Sequence, residues 1–396
     1  MTEAEKCAPS PIHSGQQWLV FGPDWGRHPS VSQHLFSQFV GSDPVLWVET
    51  VGLRVPRLTW QDLCRCAQKL WDFCSGRREL SSTSLPGLTL LSPTTLPFTQ
   101  FHLVRRFNLW QVRKRVLQMT RQLGFQNPIL VVTVPSQCDY VTRLGEAASL
   151  YYCIDDYALW AGMNSRHVRS LESHLLSVVD AVVVASQSLA DRLATFSKPV
   201  HLLSHGVDVP HFQDTCLRTP SDSQAFEIVY FGLIDERLDL GLLESLATTL
   251  PTACIRLIGP VTIPVDALKG VHNIIFEGAV DYQHLPAAVA TADLFILPFN
   301  QGDLAMSCNP IKLKEYLACG RPVIAMALPE IRPLADIVHV AETASSFLAL
   351  ALAASERKLP ENREKVTSYL ASESWRKKAL QFAAIVERTL SDKLKR

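Results

Sequence analysis

Leu297–Ala325, LPFNQGDLAMSCNPIKLKEYLACGRPVIA, is the stretch from which the fold can be read. It opens on the last residue of an apolar run, Asp293–Leu297, which Pro298 closes, and a polar loop carries the chain to Asn309. Asn309-Pro310 reads as an N-cap followed by proline at the first helical position. Ile311, Leu313, Tyr316 and Leu317 then recur at helical spacing, Gly320 ends the helix, and Pro322–Met326 is a second buried strand. Strand, loop, helix and strand in this order are the unit from which doubly wound α/β sheets are built.

Outward from this stretch the same alternation continues. Strand candidates in the first half are Trp18–Phe21, Val45–Val48, Ile129–Val132, Leu150–Ile154 and Ala181–Ala185. A second series comprises Glu227–Phe231, Cys254–Ile258, Asn273–Phe276, Asp293–Leu297 and Pro322–Met326. These are continuous Val/Ile/Leu-rich runs, as strands of a parallel sheet covered on both faces require. Helical patterns lie between them, among them Leu240–Leu250 and Asp336–Ala354. Val209–Ala225 has two prolines and little periodicity and reads as a linker. The expected domains are therefore residues 1–208 and 226–372, joined by 209–225. An amphipathic helix over 373–396 is expected to pack back on the first domain.

The bulk numbers exclude several classes. A chain of 396 residues exceeds what one core usually serves. Formal net charge is zero, so nothing global argues for nucleic acid. Hydrophobic content of 47% is that of an ordinary globular protein, and no apolar run approaches the length of a membrane span. The first residues show no signal-peptide pattern, and the expected setting is cytoplasmic. Ten cysteines are scattered, and the close pair Cys64 and Cys66 lacks zinc-knuckle spacing, so no metal site is expected.

The helix that begins near Asn309 is an anion site by its physics, because its free N–H groups and dipole point at the loop. Lys312 adds a positive charge in the first turn, and Glu315 follows three residues on, where a carboxylate accepts from ribose hydroxyls. Spacing alone favours an ordinary surface Lys–Glu pair.

NPIKLKEYLACGRPVIA strongly resembles the donor-binding segment of family 4-like GT-B glycosyltransferases, in which a proline, a glutamate, "EYLA-x-G" and "PV" mark the nucleotide-sugar site. Glu315 matches the second glutamate of the family's Glu-x7-Glu motif, implying a hold on the donor ribose, whereas the first glutamate position falls on Ser307. Tyr230–Leu240, YFGLIDERLDL, is similar to the family's strand followed by "G-R-x-x-x-x-K-G". Gly232 takes the glycine position, Arg237 the place of the diphosphate-binding lysine, and Leu233 that of the arginine before it. Leu257-Ile258-Gly259-Pro260 is similar to a strand end near the base, and Ser204–Asp208 to a hinge segment in which His205 is a hinge residue or a donor contact.

In the first half, Phe21–Arg27 follows the first strand with glycines that permit a tight phosphate- or sugar-facing loop. The loop is neither GxGxxG nor a Walker loop. The first helix is expected from Ser30, with Gln33 and His34 exposed. Asp155 and Asp156 end a strand, where paired acids bind sugar hydroxyls or one of them caps the next helix. This stretch and the Trp25 loop resemble glycosyltransferases of teichuronic-acid-type polysaccharides. Gly22, Asp24, Trp25, Asp155, Asp156 and His205 are the acceptor or sugar candidates.

No acidic residue occurs from Leu80 through Cys138, while six Lys and Arg side chains there are interleaved with Phe101, Phe107 and Trp110. Residues 101–123 therefore suit a peripheral site on an anionic membrane, or a helix with a solvated basic face.

The resemblance implies a GT-B fold, two Rossmann-like parallel-sheet domains facing a cleft. It further implies transfer of a sugar from a nucleotide-diphosphate sugar to a glycan or lipid-linked saccharide, with retention, no metal and no cofactor. Arg237 and Lys312 are the expected catalytic cations. Gly232, Gly259, Ser307, Asn309 and Glu315 complete the donor set. A catalytically silent scaffold and a nucleotide-sugar epimerase are the competing readings.

Overall fold

Apolar runs of four to six residues form the sheets because in extended geometry both faces of such runs can be buried. The structure, a computed structural model, describes residues 11–26, 30–49, 80–81, 85–96, 99–216, 225–360 and 362–395. Arg27, Cys64 and Cys66 lie outside them. The chain divides into two compact units. The first takes residues up to Ala185, then Leu189–Ser204 and Arg376–Arg396; the second takes Ser186–Ser188 and His205–Trp375.

In the first unit the described strands are β1 (Trp18–Gly22), β2 (Val45–Glu49), β3 (Leu80–Ser81), β4 (Leu88–Leu91), β5 (Ile129–Val132), β6 (Ala148–Cys153), β7 (Ala181–Val184) and β8 (Val200–Leu202). They form one sheet in the order β3-β4-β2-β1-β5-β6-β7-β8. All pairs are parallel except β3 with β4. The order reverses direction at β1, whose neighbours are β2 and β5. Ligands of doubly wound sheets bind beyond the strand ends at such a switch.

The second unit carries β9 (Glu227–Phe231), β10 (Cys254–Ile258), β11 (Ile274–Gly278), β12 (Leu294–Leu297), β13 (Val323–Met326) and β14 (His339–Ala341). Their order is β11-β10-β9-β12-β13-β14, with every pair parallel. The switch falls at β9 and β12. One core of this unit runs from Phe212 through Tyr230, Phe295 and Tyr316 to Leu370.

Three expectations change here. Val209–Cys216, read as the start of a linker, is a helix whose Phe212 is fully buried against Phe231 and Tyr282. Its proline, Pro210, and weak periodicity hid a single buried anchor. Asp336–Ala354, read as one helix, instead contains β14 and a helix Ala344–Ser355 with its own capping box at Thr343. Gln33, expected to be exposed, is buried; it completes a capping box with Ser30 and its amide donates to the Asp24 carbonyl at 2.7 Å.

A candidate donor site at the strand ends of the second unit

Helix Ile311–Ala318 starts at Pro310, which takes the N-cap position without a side-chain cap. Asn309 is thus not the N-cap; its amide reaches Glu330 at 3.4 Å instead. The uncapped first turn keeps its N–H groups directed at the loop, the condition for anion binding. Tyr316 fixes this helix to β9: its hydroxyl donates to the Phe231 carbonyl at 2.9 Å and accepts from the Phe231 N–H at 3.1 Å. Its ring stacks on Phe295 at 4.9 Å.

β9 runs into Gly232 and β10 into Gly259, and the two glycines nest. Gly259, at φ +148°, brings its Cα so close to Gly232 that a Cβ would lie 1.9 Å from the Gly232 carbonyl oxygen. Gly232, at φ +131°, has the Lys312 side chain lying across it, where a Cβ would meet Cε at 2.1 Å. Both positions exclude side chains by space as well as by backbone angle. The nest explains why the two strand-end glycines and Lys312 come together although they are 27 and 53 positions apart.

Lys312 extends along this path to Tyr230, with Nζ donating to the hydroxyl at 2.6 Å and lying 5.5 Å from the Phe299 ring centroid. The Tyr230 hydroxyl in turn donates to the Leu233 carbonyl at 2.7 Å. Burial, and then the nearby Arg237 charge, lower the Lys312 ammonium to about 7, with Asp235 pulling the other way. Desolvation thus weakens the positive charge that the sequence placed at this position.

Arg237 sits in the turn after β9, its guanidinium 5.4 Å from the Phe299 ring centroid. Asp235, buried and unremarked in the sequence reading, takes its Nε at 3.0 Å and also Nη2. The turn is tied to the end of β12 by the Asn300 N–H on the Arg237 carbonyl at 2.7 Å and by Asp239 N–H on Pro298 at 2.9 Å. One phenyl ring, Phe299, thus lies beside both cations.

Glu315 is buried on the same helix as Lys312, which rules out the surface-pair reading. No hydrogen bond to its carboxyl occurs among the described residues. Burial pushes it up to about 7, against the pull of Lys312 and with help from Asp208. Ser307 is buried and its hydroxyl donates to Leu304 at 3.1 Å, so the position where a second carboxylate was sought is occupied by a satisfied polar group. His205 is buried, and its carbonyl accepts from Lys314, which is also paired with Glu373.

The first-unit candidates separate into structural and open groups. A Cβ on Gly22 would lie 2.2 Å from the Trp47 ring, so this glycine serves packing. Asp24 is exposed. The Trp25 N–H donates to Glu49 at 2.9 Å and its ring stands edge-on to Trp47 at 4.8 Å. Glu49, which also accepts from Ser92, was missed because it lies 24 residues from the loop it holds. Of the two readings left open for Asp156, the structure supplies the contacts of the cap. It caps Tyr157–Leu159 by accepting from Ala158 N–H at 3.2 Å, and it pairs with Arg169 at 2.7 Å. Asp155 remains partly exposed at the end of β6. Cys138, Asp139 and His174 bring donor atoms within 4.8 Å of one another, a cluster that no sequence spacing announced. Arg105 occupies its Asp139 through two 2.7 Å bonds, and burial pushes the Cys138 thiol up to about 12.

Residues 225–354 match the family described as glycosyl transferases group 1. TuaH of Bacillus subtilis (strain 168), assigned as a glycosyltransferase of teichuronic acid biosynthesis, is 24% identical over 201 residues. That match covers 46% of this chain and 50% of TuaH, so it spans about half the length of that relative. Among solved structures, sucrose-phosphate synthase from Thermosynechococcus elongatus superposes with a TM-score of 0.66 at 14% identity, covering 95% of this chain and 100% of the other. Anabaena Alr3699/HepE in complex with UDP gives 0.61 at 13%, with coverage of 95% and 100%. The catalytic domain of starch synthase IV from Arabidopsis thaliana, bound to ADP and acarbose, gives 0.62 at 10%, again with 95% and 100% covered. At these identities the structural likeness shows the fold alone.

Proposed function

We propose, for a chain that carries the GT-B fold and a group 1 glycosyltransferase segment, that it transfers a sugar from a nucleotide-diphosphate sugar to a glycan or lipid-linked saccharide. The observation that carries this reading is the convergence of Lys312, Arg237 and the uncapped helix start around the Gly232–Gly259 nest, with the buried Glu315 carboxyl on the same helix. A nest of strand-end backbone with two cations suits a diphosphate, and a buried acceptor suits ribose hydroxyls.

In this reading a diphosphate raises Lys312 back to its charged form and draws Arg237 toward it from Asp235. As the bond from the anomeric carbon to the diphosphate oxygen breaks, negative charge develops on that oxygen, and the two cations stabilise it. Retention of configuration and independence of metal belong to the same reading. So does a donor that is substrate rather than cofactor. Acceptor recognition falls to the first unit, where Asp24, Trp25 and Asp155 are the remaining candidates and Glu49 positions the Trp25 loop. UDP and ADP occur in the similar structures, which supports a nucleoside diphosphate without choosing its base.

A thermal-shift screen against UDP, GDP, ADP and TDP and their sugar conjugates tests the reading, since a ligand at a hundredfold excess over Kd stabilises by about 2.7 kcal/mol. A shift with one nucleotide that Lys312→Ala and Glu315→Ala both reduce, together with release of free sugar or transfer, is the expected result. Binding without either reaction assigns the silent scaffold, which the Arg237–Asp235 pair and the satisfied Ser307 favour. Interconversion of the donor without an acceptor assigns the epimerase.

A further inference from the structure

Helix His102–Gln122 buries one face and leaves a second apolar row outside. Asn108, Val112, Val116 and Met119 face the core. Leu103, Phe107 and Trp110, spaced at i, i+4 and i+7, remain exposed on the other side, Leu103 at 79% and Trp110 at 59%. Phe101, just before the helix, is 58% exposed. Large apolar side chains scattered singly on a surface need no explanation, but a row on one helix face does.

The row is set among cations. Arg106, Arg113 and Arg143 with Trp110 line an open recess of about 700 Å³ on this face. Lys114 lies 5.6 Å from the Trp110 ring centroid. Two acids follow the helix in the chain: Asp139 pairs with Arg105 of the helix itself, and the Glu146 carboxylate accepts from the Thr142 and Leu144 N–H groups. The result is a strip with apolar tips at its centre and positive charge on its flanks. No described helix is long and apolar enough to cross a membrane.

We infer that this strip docks the protein on an anionic lipid surface. Leu103, Phe107 and Trp110 enter the boundary between headgroups and acyl chains, and the recess of Arg106, Arg113 and Arg143 receives headgroup phosphates. Aromatic and aliphatic tips flanked by Lys and Arg are the chemistry that such an interface rewards, and neutral protein surfaces do not supply the negative charge. The inference does not depend on glycosyl transfer. If both hold, the surface also places the chain where a lipid-linked acceptor resides.

The test is sedimentation of the whole chain with phosphatidylcholine vesicles, with and without phosphatidylglycerol, at low and high salt. Binding only to the anionic vesicles, weakened by salt, is expected. Arg106→Gln, Arg113→Gln and Lys114→Gln together lower vesicle affinity about a hundredfold, at roughly fivefold per cation. Leu103→Ser with Trp110→Ser abolishes binding even at low salt. These positions are exposed, so an unchanged unfolding transition separates lost docking from lost folding, and nucleotide thermal shifts in the same variants stay as in the parent. No binding to anionic vesicles at low salt overturns the inference and leaves the face to a protein partner. Equal binding to neutral vesicles, or binding untouched by either set of substitutions, overturns it as well.

Discussion

Lys312 and Glu315 sit on one helix with their ionisations displaced toward the same pH from opposite sides. The amine is lowered to about 7 and the carboxyl raised to about 7, in both cases chiefly by burial. A diphosphate needs the protonated amine and a ribose needs the ionised carboxylate. Nucleotide affinity is therefore expected to peak near pH 7. It falls on the alkaline side as Lys312 loses its proton and on the acid side as Glu315 gains one. Titration calorimetry across pH reads both limbs, and a flat profile removes these two residues from the site. Asp235 raises Lys312, so Asp235→Asn is expected to move the alkaline limb to lower pH. Lys312→Ala removes a charged hydrogen-bond donor, a loss of about 1.5–3 kcal/mol, or roughly ten- to a hundredfold in nucleotide Kd.

At the level of elements, the site depends on how closely two strand ends and one helix approach. Gly232→Ala would drive a methyl into the Lys312 side chain, whose flexible stem can move aside, so stability falls by about 1–3 kcal/mol for the backbone angle and Lys312 leaves its path. Gly259→Ala meets backbone instead, the Gly232 carbonyl, which cannot yield alone. The second variant is expected to unfold at the lower temperature of the two, and calorimetry decides the order. Tyr316→Phe strands the buried Phe231 N–H and carbonyl that its hydroxyl satisfies, at about 1–3 kcal/mol. Because the pin sets where the helix starts, its loss is expected to weaken nucleotide binding too, measured as Kd beside Tm.

Across the whole chain, the last helix, Trp375–Leu394, begins at the boundary of the second unit and continues, from Arg376, as part of the first. Phe382 is fully buried among Trp18, Phe36 and Tyr152, with ring centroids at 5.9, 5.6 and 5.9 Å. Lys393 closes the far end on Asp180 at 2.8 Å. The core of the first unit is therefore completed by helix Trp375–Leu394. Phe382→Ala is expected to cost about 3–5 kcal/mol. Hydrogen exchange should place that loss in β1, β6 and helix Val31–Ser37, leaving β9 and β12 protected; uniform loss in both units would contradict this division.

Much of this was legible along the chain. Runs such as Ile129–Val132 and Ala181–Val184 read as strands buried on both faces and are so, and the resemblance of NPIKLKEYLACGRPVIA pointed to the helix that carries Lys312 and Glu315. Short edge strands such as β8 and β14 were not legible, because an edge needs fewer apolar residues and gives little pattern. Periodicity and local chemistry determined the parallel α/β architecture and placed a helix within one residue of its observed start. Only the tertiary structure decided that Asp235 holds Arg237, that Glu49 holds the Trp25 loop, that Asp156 caps Tyr157–Leu159 and pairs with Arg169, and that desolvation lowers Lys312. Those outcomes rest on contacts across space and on desolvation, which linear spacing does not encode.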